Sequence, residues 1–215
     1  GVKPFAAQLW HREPVTRLYG LLADDATGDT LTPLSLSSTT TLGHAVNLDC
    51  YAGRLLDFDT THDETGDHPS VATVPVALAV GRTLHSRGAD ILKAVVAGEE
   101  VQLRVRLGSD QRSGVSPGTH PWTTATYAPF GSAMTAASLL GLSQEQTCSA
   151  LGHAFSYCSN TFESQFEGRE SHRLHQGMAS VLGLFAARAA RAGFEGMRRP
   201  LEGEYGYYRA FHNGS

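Results

Sequence analysis

From Ser70 onward the apolar residues recur at spacings of three and four, and a glycine stands where each run ends. That rhythm buries a continuous stripe only on a helix, so it constrains this chain more than any other feature. Val71 to Arg87 reads as one helix closed by Gly88, and Asp90 as the N-cap of a second over Ile91–Leu107, closed by Gly108. The two predict a helical hairpin. Residues 109–121 carry glycine and proline in the composition of a loop. A third helix is predicted from Thr124 to Leu140 and ends at Gly141, after which Ser143 and Gln146 form a capping box that opens a fourth. On that fourth helix Cys148, Leu151, Ala154, Phe155 and Cys158 share one face, which predicts a core stripe with buried thiols. His172 to Ala192 is rich in alanine and glycine, so neighbouring helices can approach it closely, and Gly193 supplies its stop. Convincing strand alternation is absent. The fold class that follows is all-α, an irregular multi-helix bundle, with residues 1–44 as a loosely tied, partly irregular arm and 45–215 as a single helical domain.

Composition narrows the partners. The chain has 215 residues, 41% hydrophobic and 18% charged, with 17 basic against 21 acidic side chains and a net charge of −4. A chain this long buries roughly 70% of its unfolded surface and needs no disulfide staples. No basic run exists to grip nucleic acid or an anionic membrane. A small metabolite is the better-matched ligand. No stretch approaches the ~18 apolar residues of a membrane span, the first residues lack a signal-peptide layout, and three cysteines are no disulfide framework. The expectation is a cytoplasmic protein.

The densest chemistry lies between Asp57 and His68, where five acids and two histidines fall within twelve residues. Three readings compete. Carboxylate and imidazole together suit Mn, Zn or Fe, but no His-Glu-x-x-His spacing is present, and Gly66 and Pro69 mark a loop. A solvated acidic loop capping the following helix is the plainest reading. The third is acid/base catalysis, with His68 exchanging protons while Asp57 and Thr61 orient it or the substrate. Further along, His120 precedes a helix, and His172 and His175 stand one turn apart on another, beside Arg169 and Arg173, which can grip carboxylates or lie solvated at the surface.

Leu56-Asp57-Phe58-Asp59-Thr60-Thr61-His62 with His68-Pro69-Ser70 resembles the Leu-Asp-Phe-Asp-Asp-Thr-His … His-Pro-Ser signature of the MmgE/PrpD family. Other pieces follow in that family's order: residues 94–101, Gly118-Thr119-His120 with Thr123, residues 139–142, residues 150–154, Leu174-His175-Gln176-Gly177-Met178-Ala179 and Leu201-Glu202-Gly203. The resemblance covers about residues 45–208. It implies a largely helical domain, followed in the family by an α/β lid that this chain stops short of. It also implies a homodimer, no organic cofactor, and elimination, decarboxylation or epimerisation of small di- or tricarboxylic acids; no metal ligands are expected. The matching positions place Asp57, Thr61, His68 and His120 at the active-site cleft.

The departures from that family bear on substrate. His172 occupies the place of a family lysine, Thr60 that of one of its paired aspartates, and Arg54 that of a histidine three residues before Asp57. A lysine is cationic at neutral pH, whereas a histidine takes either form. Arg54 is thereby expected to restore the cation lost at His172, and Arg54, Arg173 and His175 to bind substrate. Arg54, His172 and Thr61 would stabilise an enolate, His68 or His120 would carry the proton, and Asp57 would fix an imidazole tautomer. The rival from another class is a non-catalytic binding or scaffolding module derived from the same fold.

Overall fold

A computed structural model describes Thr16 and residues 30–113 and 121–211 of the chain. His120 lies outside the described residues. Two short strands, β1 (Thr30–Leu31) and β2 (Thr40–Thr41), pair antiparallel. Helices follow: α1 (Leu42–Arg54), α2 (Ser70–Thr83), α3 (Gly88–Ser113), α4 (Thr124–Leu139), α5 (Gln144–Phe155), the single turn α6 (Glu163–Phe166), α7 (Ser171–Arg191) and the short α8 (Tyr207–Phe211). The fold is all-α, as the spacing predicts.

α4 is the axis of the bundle. Its sequence is apolar or small all round, and 13 of its 16 residues are buried. A helix without a polar face has no surface to offer water, so it is enclosed by others. α3 and α7 cover it most extensively, and α2 and α5 close the remaining sides. Glycines make that enclosure tight. A Cβ at Gly98 on α3 would collide with Thr135 of α4 and stand 2.7 Å from the Gly131 carbonyl. One at Gly183 on α7 would stand 2.6 Å from the Pro129 carbonyl. The small-residue character of residues 172–192 thus does what the sequence suggests, letting backbones touch.

Local punctuation holds at several boundaries. Ser143 and Gln146 form the capping box of α5, and Gly141 and Gly193 adopt positive φ (65° and 91°) just beyond α4 and α7. Four sequence expectations are corrected. The first helix ends at Thr83 rather than Arg87, turned off by His85 at φ 53°. Gly88 opens α3 instead of closing α2, and α3 runs through Gly108 to Ser113. Gly108 is a contact rather than a stop, since a Cβ there would collide with the Tyr208 ring. Cys148 is exposed and Cys158 lies beyond the end of α5, so only Cys50 and Cys158 are buried thiols. Burial pushes the Cys50 thiol up to about 12.

The sequence expectation left Leu42–Arg54 unassigned, yet α1 is a regular helix whose N-cap Thr41 accepts from the His44 backbone. It also anchors the described part of the arm. The Asp49 carboxylate accepts from the Leu34 and Ser35 backbone N–H groups at 3.0 and 2.9 Å and from the Ser35 hydroxyl, and Arg82 donates to the Thr32 carbonyl at 2.8 Å. No helix among the described residues is long and apolar enough to cross a membrane.

Candidate functional site

The end of α1 delivers Arg54 to the loop 56–69, which folds back on itself. Within it Gly66 N–H donates to the His62 carbonyl at 2.8 Å and His62 N–H to the Asp67 carbonyl at 2.9 Å, with Gly66 at φ 63° making the turn. The far side of the loop is pinned to α3, where Gln102 donates to Asp67 at 2.9 Å and Arg106 to the Thr65 carbonyl at 3.2 Å. That closure presents His68 at the start of α2. The loop does not cap α2, because the N-cap is Pro69 and makes no side-chain cap.

Arg54 is 8% exposed and bridges two carboxylates, with Nη1 2.9 Å from Asp57 Oδ1 and 2.9 Å from Asp59 Oδ1. The other oxygen of Asp59 lies 2.9 Å from His68 Nδ1. Thr61 Oγ1 and Arg54 Nη1 stand further from that nitrogen, at 3.4 and 3.3 Å. The Asp59 carboxylate is the nearest of the three and can only accept, whereas Arg54 can only donate, so Nδ1 stands between a carboxylate and a guanidinium. Burial raises the Asp59 carboxyl, but the His68 hydrogen bond and the Arg54 and His68 charges outweigh it, and Asp59 titrates below the ordinary carboxylate range. Asp59, rather than Asp57, is thus the carboxylate that stands against His68. Asp57 is exposed, sits at φ 49°, and bridges instead to Arg54 and, at 3.7 Å, to Arg173 of α7. A non-glycine residue in the left-handed region is held there against its preference.

A cavity of about 100 Å³ opens beside this cluster, with Arg54, His68, His172 and Gln176 in its wall together with Thr123, Thr124 and Ala125 at the start of α4. The start of α4 is fixed by a strand-like pairing: Thr123 N–H donates to the Asn160 carbonyl at 3.1 Å, Phe162 N–H to the Pro121 carbonyl at 2.8 Å, and Trp122 bridges Thr161. The same pairing brings Phe162 and Gln165 into the cavity wall. His172 reaches the cavity from α7 with Nε2 buried and without a partner among the described residues. Burial first, then the Arg173 and Arg54 charges, hold its pKa below the usual 6.5, so the ring is neutral at pH 7.

Of the sequence-predicted residues, Arg54, His68 and His172 meet at the cavity. Thr61 is exposed and touches the site through His68 Nδ1, and Asp57 and Arg173 form an ion pair beside it. His175 is half-buried on α7, outside that cavity wall, and burial lowers its pKa. Arg169 pairs with Glu167 at the surface. Arg54 cannot serve as an unopposed replacement cation, because the two charges of Arg54 and Arg173 meet the two of Asp57 and Asp59. Sequence reasoning missed Asp59 and Gln176. The signal for Gln176 was its place one turn beyond His172, on the same helix face. Among the described residues no three His, Cys, Asp or Glu side chains are grouped to hold a metal ion.

A model of the MmgE/PrpD N-terminal domain matches residues 6–215. The chain is 32% identical over 157 residues to cis-aconitate decarboxylase from Homo sapiens, a match covering 71% of this chain and 31% of that protein. It is 30% identical over 161 residues to the cis-aconitate decarboxylase-like protein oryM from Aspergillus oryzae, covering 70% and 32%. To cis-aconitate decarboxylase from Aspergillus terreus it is 28% identical over 158 residues, covering 70% and 31%. The match thus spans about a third of the length of these curated relatives.

Proposed function

The chain belongs to the MmgE/PrpD family, and from that premise we propose that it serves a lyase-type enzyme acting by acid/base chemistry, without an organic cofactor, on a small organic acid. The observation that carries the reading is the 2.9 Å contact between Asp59 and His68 Nδ1 at the cavity wall. The names of the relatives favour loss of CO2 over epimerisation or cyclisation, and favour an enzyme over a binding module. Removing a proton or CO2 beside a carboxylate builds negative charge on its oxygens. The wall must accept that charge while one group handles the proton.

Asp59 holds His68 in the tautomer whose Nε2 is basic, so His68 takes or returns the proton, a role worth on the order of 10²- to 10⁴-fold. His172, neutral at pH 7, offers a hydrogen bond rather than a charge. A neutral donor stabilises an enolate less than a lysine does, which directs the site toward substrates that are acidified by a second carboxylate or carbonyl of their own. His120 remains a second proton carrier, Thr61 and Asp57 remain positioning groups, and the active species is a homodimer. The test uses cis-aconitate and related di- and tricarboxylic acids in D2O, following CO2 release and deuterium incorporation by NMR. Turnover that falls at least a hundredfold in His68→Ala, with an unchanged melting curve, supports the reading. Full activity in both His68→Ala and His120→Ala overturns it.

A further inference from the structure

The ion pairs around Arg54 leave the cavity with little net charge, yet two buried side-chain nitrogens in its wall, Gln176 Nε2 and His172 Nε2, have no partner among the described residues. Gln176 is 2% exposed, and its Nε2 finds no hydrogen-bond partner among the described residues. A buried amide donor left unpaired is costly, and such groups in folded proteins generally face a ligand, an ion or a water. The same wall contains the first residues of α4, a 16-residue helix. Its N-cap Thr123 is extended (φ −85°, ψ 169°) and makes no side-chain cap. The first-turn N–H groups of a helix have no intrahelical acceptor, and the helix dipole adds partial positive charge there. Among the described residues no acidic side chain lines the cavity. An unpaired amide donor beside a helix N-terminus, with no carboxylate in the described wall to compete for it, favours an anion.

We infer that the start of α4 and the side-chain amide of Gln176 form a carboxylate-binding subsite, which holds one carboxylate of the substrate within reach of His68. The inference rests on reading this cavity as the small-acid site, and it names Gln176 as the residue that fixes where the acid sits. At about 100 Å³ the space equals roughly three water molecules at ~30 Å³ each, room for a carboxylate and a short carbon skeleton. Binding by neutral dipoles makes the charge of the substrate, rather than a lysine, the source of selectivity.

The probe is succinate, with neutral succinamide as its comparator, titrated calorimetrically at pH 7.5 into the 215-residue chain. Gln176→Glu keeps the shape and places a carboxylate in the subsite, and the expected result is at least tenfold weaker succinate binding with little change for succinamide. Gln176→Leu is expected to fall between. In the unsubstituted chain, the backbone amide resonances of Thr124 and Ala125 are expected to shift saturably with succinate, a readout that no folding defect affects. Equal losses for succinate and succinamide, unchanged affinity in Gln176→Glu, or no succinate binding by the unsubstituted chain would each overturn the inference. Succinate binding that depends on Gln176, without any His68-dependent turnover, leaves the subsite standing and removes the proposed chemistry. His68-dependent turnover with affinity indifferent to Gln176 does the reverse.

Discussion

The body of α4 and its first turn belong to one helix but obey different constraints. Along the body, Gly98 and Gly183 bring neighbouring backbones to within contact of Gly131 and Pro129, leaving no space for a methyl group. At the first turn the neighbours draw back into a cavity whose wall is polar. The body is therefore sensitive to volume and the first turn to charge. A single buried helix can support both only if the tight section holds the open one in place.

The largest expected effect tests the charge-sensitive end. Asp59→Asn removes the carboxylate beside His68 Nδ1 that is proposed to set its tautomer, and leaves Arg54 with one fewer carboxylate. Activity on the acid that the D2O experiment identifies should fall by about 10²-fold or more while the fold persists. Equal activity would break the comparison at its polar side. On the steric side, Gly98→Ala should lower stability by about 1–3 kcal/mol, read from urea denaturation, because the methyl meets Thr135 and a carbonyl rather than a flexible chain end. Ser143→Ala, remote from both regions, should cost about 1 kcal/mol through loss of the α5 capping box and leave turnover unchanged.

The smallest effect is a pH dependence. His172 and His175 both titrate below their usual 6.5 in the folded chain, so the unfolded chain binds protons more readily than the folded one. Their contribution to stability is full above 6.5 and erodes as pH falls toward the folded values. Asp59, depressed below its ordinary 3.8, adds a second loss only in more acid solution. Melting temperature should therefore be level between about pH 7 and 8, fall above the ordinary thiol value of 9.0 because buried Cys50 resists ionisation, and decline below 6.5, and His172→Gln should make that acid-side decline shallower. An acid-side decline unchanged in His172→Gln would show that the neutral His172 ring is not its source.

What the sequence made legible follows from how local each signal is. The capping box at Ser143 and the stops at Gly141 and Gly193 depend on neighbouring residues alone, and each forms where the spacing predicts. Gly88 and Gly108 were misleading because a glycine near a helix serves either a left-handed turn or a close approach. Only the distant partner tells the two apart, and for Gly108 that partner is Tyr208, a hundred residues away. The same limit divides the site. Arg54 and His68 are brought together by one loop, and the family resemblance added His172. Choosing Asp59 over Asp57 required the backbone turn at Asp57, where φ reaches 49°. Gln176 shares a helix face with His172, one turn on, but that spacing alone does not separate an unpaired amide from an ordinary core residue.

The backbone pairing between residues 121–123 and 160–162 has a mechanical corollary. It rivets the rear of the chamber to the segment ahead of α6, so that rear cannot yield without tearing main-chain hydrogen bonds. If the ligand is the proposed acid, adjustment to different girths must come from the front, where residues 56–69 are closed on themselves by main-chain bonds but tied to α3 through the side chains of Gln102 and Arg106. Diversification of specificity on this scaffold should therefore accumulate in that loop, with the rear acting as its anvil.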